Sequence, residues 1–142
     1  MIREIVNPGE LLSVFDLMKE LRPHLTHDSF MHLYHLAKKA DGYTLLGCFD
    51  GEVCVGLMGM RVLHDYVHAS HLYIDDLVVS SSQRSKGIGA RLLQHAEEHA
   101  KLKGLTGLRL CTGIDNKEGI RFYERENWKS RAVVFKKKLS ID

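Results

Sequence analysis

The sequence predicts a mixed α/β domain, and three observations carry that expectation. Apolar strand-like runs cluster as a meander in the first half, strand and helix patterns alternate in the second, and a glycine turn, Gly87-Ile88-Gly89, joins an apolar strand to an amphipathic helix. At 142 residues the chain suits one domain, residues 1–142, large enough to bury a core without metal or disulfide staples.

Ile2 to Val6 reads as a first strand, and Asn7-Pro8 opens a helix, with Asn as cap and Pro in the first turn. That helix turns Leu11, Leu12, Phe15, Met18 and Leu21 inward and stops at Pro23. A second helix, from about Asp28 to Ala40, spaces Phe30, Leu33, Tyr34 and Ala37 on one face and ends at Gly42. Tyr43 to Phe49 and Val53 to Leu63 flank Asp50-Gly51, a hairpin signal. A two-residue turn there would set Cys54 opposite Gly47 and point Cys48 and Cys54 to opposite sides of the sheet.

His71 to Val79 is the fourth strand. Ile88, Leu92, Leu93, Ala96 and Ala100 form the buried stripe of a third helix, which Gly104 and Gly107 end. Leu108 to Thr112 is a fifth strand, and Asp115 to Glu126 a fourth helix with Asp115 and Glu118 spaced as a capping box. Trp128 to Leu139 reads as a sixth strand. The helical crossover between the fourth and fifth strands makes them parallel neighbours.

A formal charge of +2 is too small to imply nucleic acid, and Lys136-Lys137-Lys138 reads as a solvated strand end. No apolar run is long enough to span a bilayer, and the start lacks the apolar block of a signal peptide, so a cytoplasmic protein is expected. Cys48, Cys54 and Cys111 make an odd count inside apolar runs, which suits buried thiols in a reducing compartment. His32 and His35 lie one helical turn apart, but no Cys or acid completes a ligand pattern, and no metal is expected.

Two places carry chemistry. In Arg84-Ser85-Lys86-Gly87-Ile88-Gly89-Ala90 the glycines clear side chains from backbone N–H groups at the positive end of a helix dipole, which makes an anion seat; the plain alternative is a helix that merely starts after glycine. In the fourth strand, strict alternation puts Tyr73, Asp75, Leu77 and Val79 on one face and Ile74, Asp76 and Val78 on the other, so one carboxylate is expected on each side. Acids in an apolar strand must be paired, hydrated or in use; two aspartates in water at a strand end are the alternative.

The glycine turn, followed about thirty residues later by Asn116-Lys117-Glu118-Gly119-Ile120-Arg121-Phe122-Tyr123-Glu124-Arg125-Glu126-Asn127-Trp128, resembles the GNAT superfamily of acyl-CoA N-acyltransferases over roughly Gly42 to Leu139. The resemblance implies the GNAT fold, a mostly antiparallel sheet of six to seven strands flanked by about four helices, with strands four and five splayed apart. It implies acetyl-CoA as cosubstrate, its pyrophosphate on Arg84, Ser85, Lys86, Gly87, Ile88, Gly89 and Ala90, and its pantetheine along Leu77, Val78 and Val79 and near Asn116. Ser85-Lys86 stands where family members often carry Arg-Gly, and Asn127 where Gly is usual.

The same resemblance implies direct transfer with both substrates bound, and Tyr123 as the acid that protonates the departing thiolate. Tyr-Ile-Asp-Asp-Leu-Val-Val is similar to the strand of polyamine acetyltransferases, which maps the catalytic base onto Asp75 and leaves Asp76 a substrate-charge or supporting role. Tyr34-His35-Leu36-Ala37 and Asp50-Gly51-Glu52-Val53 resemble aminoalkylphosphonate acetyltransferases. In this fold His24, His27, His32, His35, His64, His68 and His71 fall in segments that form the acceptor pocket. The implied partner is a small-molecule amine, a diamine, polyamine or aminoalkylphosphonate; a protein lysine or N-terminal amine, and a catalytically silent acyl-CoA sensor, are the alternatives. Homodimers are frequent in the family.

Overall fold

Five strands lie in chain order across one sheet in the computed structural model, which describes residues 1–140. They are β1 (Ile2–Glu4), β2 (Thr44–Asp50), β3 (Val53–Asp65), β4 (Ala69–Val79) and β5 (Leu108–Leu110). The first four pair antiparallel and β5 joins β4 in parallel, as a helical crossover demands. Five helices accompany them: α1 (Pro8–Ser13), α2 (Phe15–Leu21), α3 (His27–Asp41), α4 (Ile88–Leu102) and α5 (Lys117–Arg125). The chain divides into two compact units, Met1–Leu110 and Cys111–Asp142.

In the first unit, Asn7 caps α1 by accepting from the Gly9 N–H at 2.8 Å, with Pro8 in the first turn. The single helix expected from Asn7 to Pro23 is two, because Val14, at φ −100° and ψ 1°, leaves helical geometry between α1 and α2. Leu11, Phe15 and Met18 are buried, but Leu12 stays 49% exposed. A reciprocal Thr26–Ser29 capping box starts α3 and left-handed Gly42 ends it.

These three helices pack on one face of the sheet, where Leu11, Phe15, Phe30 and Tyr34 meet Leu45, Leu57 and Val78. On the other face lies α4, whose buried residues are the expected Ile88, Leu92, Leu93, Ala96 and Ala100. A Cβ at Gly56 would come within 2.9 Å of Ile88 Cγ2, so the missing side chain lets α4 close on β3.

Two registers differ from strict alternation. In β2–β3, Asp50 pairs with Val53, so the turn residues are Gly51-Glu52 and Cys54 lies opposite Phe49 instead of Gly47; a bulge then skips Val55, so that Cys48 pairs with Gly56. In β3–β4, Gly59 pairs with Asp76 and Met60 with Ile74, which leaves Asp75 as the extra residue of a β-bulge. Pairing of β4 with β5 stops at Ile74↔Leu110 although β4 continues to Val79, so its edge beyond the bulge has no β5 residue beside it.

In the second unit, the α5 cap is Asn116, which accepts from the Gly119 N–H at 3.1 Å and donates to Thr112 Oγ1 at 2.9 Å. It replaces the capping box expected from Asp115 and Glu118. Asn127 takes a left-handed φ of 68°, the geometry for which Asn substitutes for Gly, and the Trp128 N–H returns to the Tyr123 carbonyl at 2.9 Å. Trp128 to Leu139, expected as a strand, forms none: among the described residues of this unit there is no strand to pair with it, and Val133, Val134 and Phe135 are exposed. The sheet therefore has five described strands, not six to seven, and the described α-helices number five, not about four.

Candidate active site

The bulge decides where the two acids go. By inserting a residue into β4 it breaks the two-residue period, and Asp75 and Asp76 both line one cavity of about 370 Å³ between the sheet and helices α2 and α3. The expectation of one carboxylate on each face is thereby corrected. Arg22, His24, Tyr34, Asp41, Tyr43 and Arg61 are the other polar residues of the cavity lining.

Asp76 is held from two directions. The Tyr43 hydroxyl donates to Oδ2 at 2.7 Å, and Arg22 Nε donates to Oδ1 at 3.2 Å. Arg22 Nη2 also donates to the Asp75 carbonyl at 2.8 Å, so the residue that ends α2 clasps both the side chain and the backbone of the bulge. Burial, together with the Asp76 charge, pushes the Tyr43 hydroxyl well above its ordinary range, which keeps it a neutral donor.

Asp75 differs. Arg61 Nε lies 3.2 and 3.1 Å from its two oxygens, while Arg61 Nη1 reaches Asp41 at 3.5 Å. Burial raises the Asp75 carboxyl above the usual carboxylate range; Arg61 opposes that shift and the charges of Asp76 and Asp41 add to it. A half-buried carboxylate with raised proton affinity, facing a cavity, can accept a proton from a bound ammonium.

Beyond β4 the chain makes a short turn, Ser81–Gln83, and enters α4 through two left-handed residues, Ser85 at φ 66° and Gly87 at φ 78°. Side chains cap α1, α3 and α5, but the start of α4 carries no side-chain cap. Its first-turn N–H groups are therefore available to an anion, with the exposed cations Arg84 and Lys86 beside them. This donor set fits a diphosphate: several amides, a helix dipole and no carboxylate in the loop.

Tyr123 and Asn116 lie on and before α5 in the second unit, where the Tyr123 ring packs edge-on to Phe122 and Trp128 at centroid distances of 5.2 and 6.0 Å. Of the histidines expected at the acceptor pocket, His24 lines the cavity. His27 instead packs on Phe15 at 4.1 Å. Asp65, His68 and His71 bring ligand-type atoms within 4.8 Å of one another at the β3–β4 turn, where Asp65 accepts from the His68 N–H at 2.6 Å and Arg109 Nε lies 3.3 Å from His71 Nε2.

Sequence reasoning missed Tyr43, Arg22 and Arg61, which come from distant segments. The available signal was Gly59: a Cβ there would collide with the Tyr43 hydroxyl and lie 2.6 Å from Asp76 Oδ2.

The model of the acetyltransferase (GNAT) family matches residues 11–127. The chain belongs to that family. As a GNAT protein it is an acetyl-CoA-dependent acetyltransferase, similar over 137 residues, at 26% identity and 96% of both chains, to an uncharacterized N-acetyltransferase, YhdJ, of Bacillus subtilis. It is 37% identical over 94 residues to the aminoalkylphosphonate N-acetyltransferase of Salmonella typhimurium, covering 63% of this chain and 58% of that one. Two solved structures share the GNAT fold. A transcriptional regulator from Bacillus halodurans C-125 has a TM-score of 0.86 at 23% identity, covering 98% of this chain and 99% of that one. The aminoglycoside N-acetyltransferase AAC(6')-Iy in complex with CoA has a TM-score of 0.85 at 20% identity, covering 97% and 93%. Among the described residues of this GNAT chain, no helix is long and apolar enough to cross a membrane.

Proposed function

We propose that residues 1–142 act as one catalytic domain that acetylates a primary amine of a small molecule by direct attack in a ternary complex. The observation that carries this reading is the convergence of Asp75 and Asp76 on one cavity, at the point where β4 loses its β5 neighbour. Acetyl-CoA supplies an activated thioester. In our reading the uncapped start of α4, from Arg84 to Ala90, binds its diphosphate, and the backbone of Leu77, Val78 and Val79 on the open edge of β4 holds the extended pantetheine, with Asn116 contributing.

Asp75 removes one proton from the acceptor ammonium, which frees the nitrogen lone pair to form the N–C bond as the C–S bond breaks, and the second proton that the nitrogen sheds to become a neutral amide passes to solvent. Asp76 stays fixed by Tyr43 and Arg22 and supplies negative charge to the acceptor. Tyr123 takes its role from its place in the Phe-Tyr motif: it gives its proton to the leaving thiolate. Asp75 and Tyr123 return to their starting states by exchange with solvent.

Release of free thiol from acetyl-CoA, followed by product mass, tests the proposal with a panel of primary amines. Amine-dependent release with a 42 Da gain on the acceptor, about the mass an acetyl group adds in place of a proton, is the expected result. Tight CoA binding with no amine-stimulated release would turn the reading into that of an acyl-CoA sensor.

A further inference from the structure

Resting on that acceptor-pocket reading, we propose that the acceptor is a cationic amine on an apolar body that bears no anionic group. The charges of the pocket are already matched to one another. Asp41, Asp75 and Asp76 line the cavity against Arg22 and Arg61, a formal balance of one negative charge with His24 neutral and none with it protonated.

Both guanidinium groups are engaged. Arg61 serves Asp75 through Nε and Asp41 through Nη1, and its guanidinium lies 5.5 Å from the Tyr73 ring centroid. Arg22 serves Asp76 through Nε and Nη2 and the Asp75 carbonyl through Nη2. Each guanidinium retains further N–H groups, but its charge is already matched by a carboxylate, so a phosphonate or carboxylate on the acceptor would add negative charge to a partly buried cluster in which acids already outnumber guanidinium groups.

An ammonium meets the opposite situation. Asp75 accepts side-chain bonds from Arg61, which leaves lone pairs for a second donor, and Asp41 is 49% exposed with one long contact to Arg61. Apart from His24 and from Tyr34, whose hydroxyl donates to the Ile5 carbonyl, the rest of the wall from α2, α3 and the segment between them is apolar: Met18, Leu25, Phe30, Leu33 and Ala37 offer only carbon or sulfur to a ligand. Leu33, on the outward end of that wall, is 52% exposed, so an apolar acceptor body gains contact by covering it.

The test compares acceptors of one chain length: pentylamine and 1,5-diaminopentane against 5-aminopentanoate and 5-aminopentylphosphonate, with kcat/KM measured for each on the wild-type protein. The two without an anion are expected to exceed the two with one by roughly a hundredfold, the order expected for an unmatched charge in a partly buried site. Asp41→Lys, a change at a half-exposed position outside the proposed catalytic set, is expected to shrink that ratio tenfold or more, a readout insensitive to a general loss of activity. Equal or better turnover of the anionic amines overturns the inference and leaves the acetyltransferase reading standing. If neither class is acetylated while acetyl-CoA binds, both fall together.

Discussion

The Tyr43 hydroxyl reaches Oδ2 of Asp76 at 2.7 Å across Gly59, where β3 carries no side chain to block it. Gly59→Ala is expected to break this contact. The added methyl would collide with the hydroxyl, and the Tyr43 ring, buried against Tyr34, has little room to retreat. Overpacking of this kind costs about 1–3 kcal/mol, read as a lowered urea midpoint with unchanged slope. Tyr43→Phe keeps the ring, removes only the donor, and should cost about 1–2 kcal/mol. Wild-type stability in both variants would mean that the contact contributes nothing to holding the bulge.

The pH dependence of turnover follows from Asp75. Burial raises its folded-state pKa, so the acid limb of kcat/KM should lie above the ordinary carboxylate range, with activity lost as pH falls through it. Arg61 opposes the shift, and Arg61→Gln should therefore move that limb to higher pH. Asp75→Asn should abolish it and lower turnover at neutral pH by roughly a hundredfold or more, with partial recovery where free amine is abundant. The linked effect on stability has the matching sign. The folded chain holds this proton more tightly than the unfolded chain, so the ionised group costs stability that is absent below the ordinary carboxylate range and grows as pH rises through the folded value. A pH profile in Arg61→Gln that coincides with wild type would remove Asp75 from the proton-accepting role.

What was legible in the chain depended on how local its cause is. The α4 stripe from Ile88 to Ala100 follows from helical spacing alone, and every expected residue is buried. The turn from Arg84 to Ala90 was equally readable because its glycines act on their own backbone. The Asp75 bulge was not: a period of two sees only β4, whereas the insertion is fixed by Gly59 on β3, Tyr43 before β2 and Arg22 after α2. The break at Val14 lies within an apolar stripe that continues through it, so spacing predicted one helix. Trp128 to Leu139 failed for a third reason: apolar β-formers such as Val133 and Val134 state a preference, but a strand exists only where another accepts its hydrogen bonds.

The two left-handed residues before α4 make opposite predictions. Gly87 has φ 78°, so Gly87→Val should strain the backbone by about 1–3 kcal/mol and place a branched side chain beside the first-turn amides. CoA affinity measured by calorimetry should fall at least tenfold. Ser85 already carries that strain at φ 66°, and Ser85→Gly should raise stability by up to about 1 kcal/mol with CoA affinity within a few-fold of wild type. Full CoA affinity in Gly87→Val would show that the diphosphate does not rest on this turn.

Tyr123 can be separated from mere packing by removing a single oxygen. Its ring packs edge-on to Phe122 and Trp128, and Tyr123→Phe preserves those apolar contacts. If the hydroxyl protonates the leaving thiolate, kcat should fall by roughly ten- to a hundredfold while the dissociation constants of CoA and acetyl-CoA stay nearly unchanged. The defect should also depend on the leaving group. An acyl donor whose thiol is more acidic departs without a proton, so an aryl thioester of the same acetyl group should narrow the gap between variant and wild type. A purely structural tyrosine would lower activity with both donors alike, and an unaltered kcat with acetyl-CoA would end its assignment as the acid.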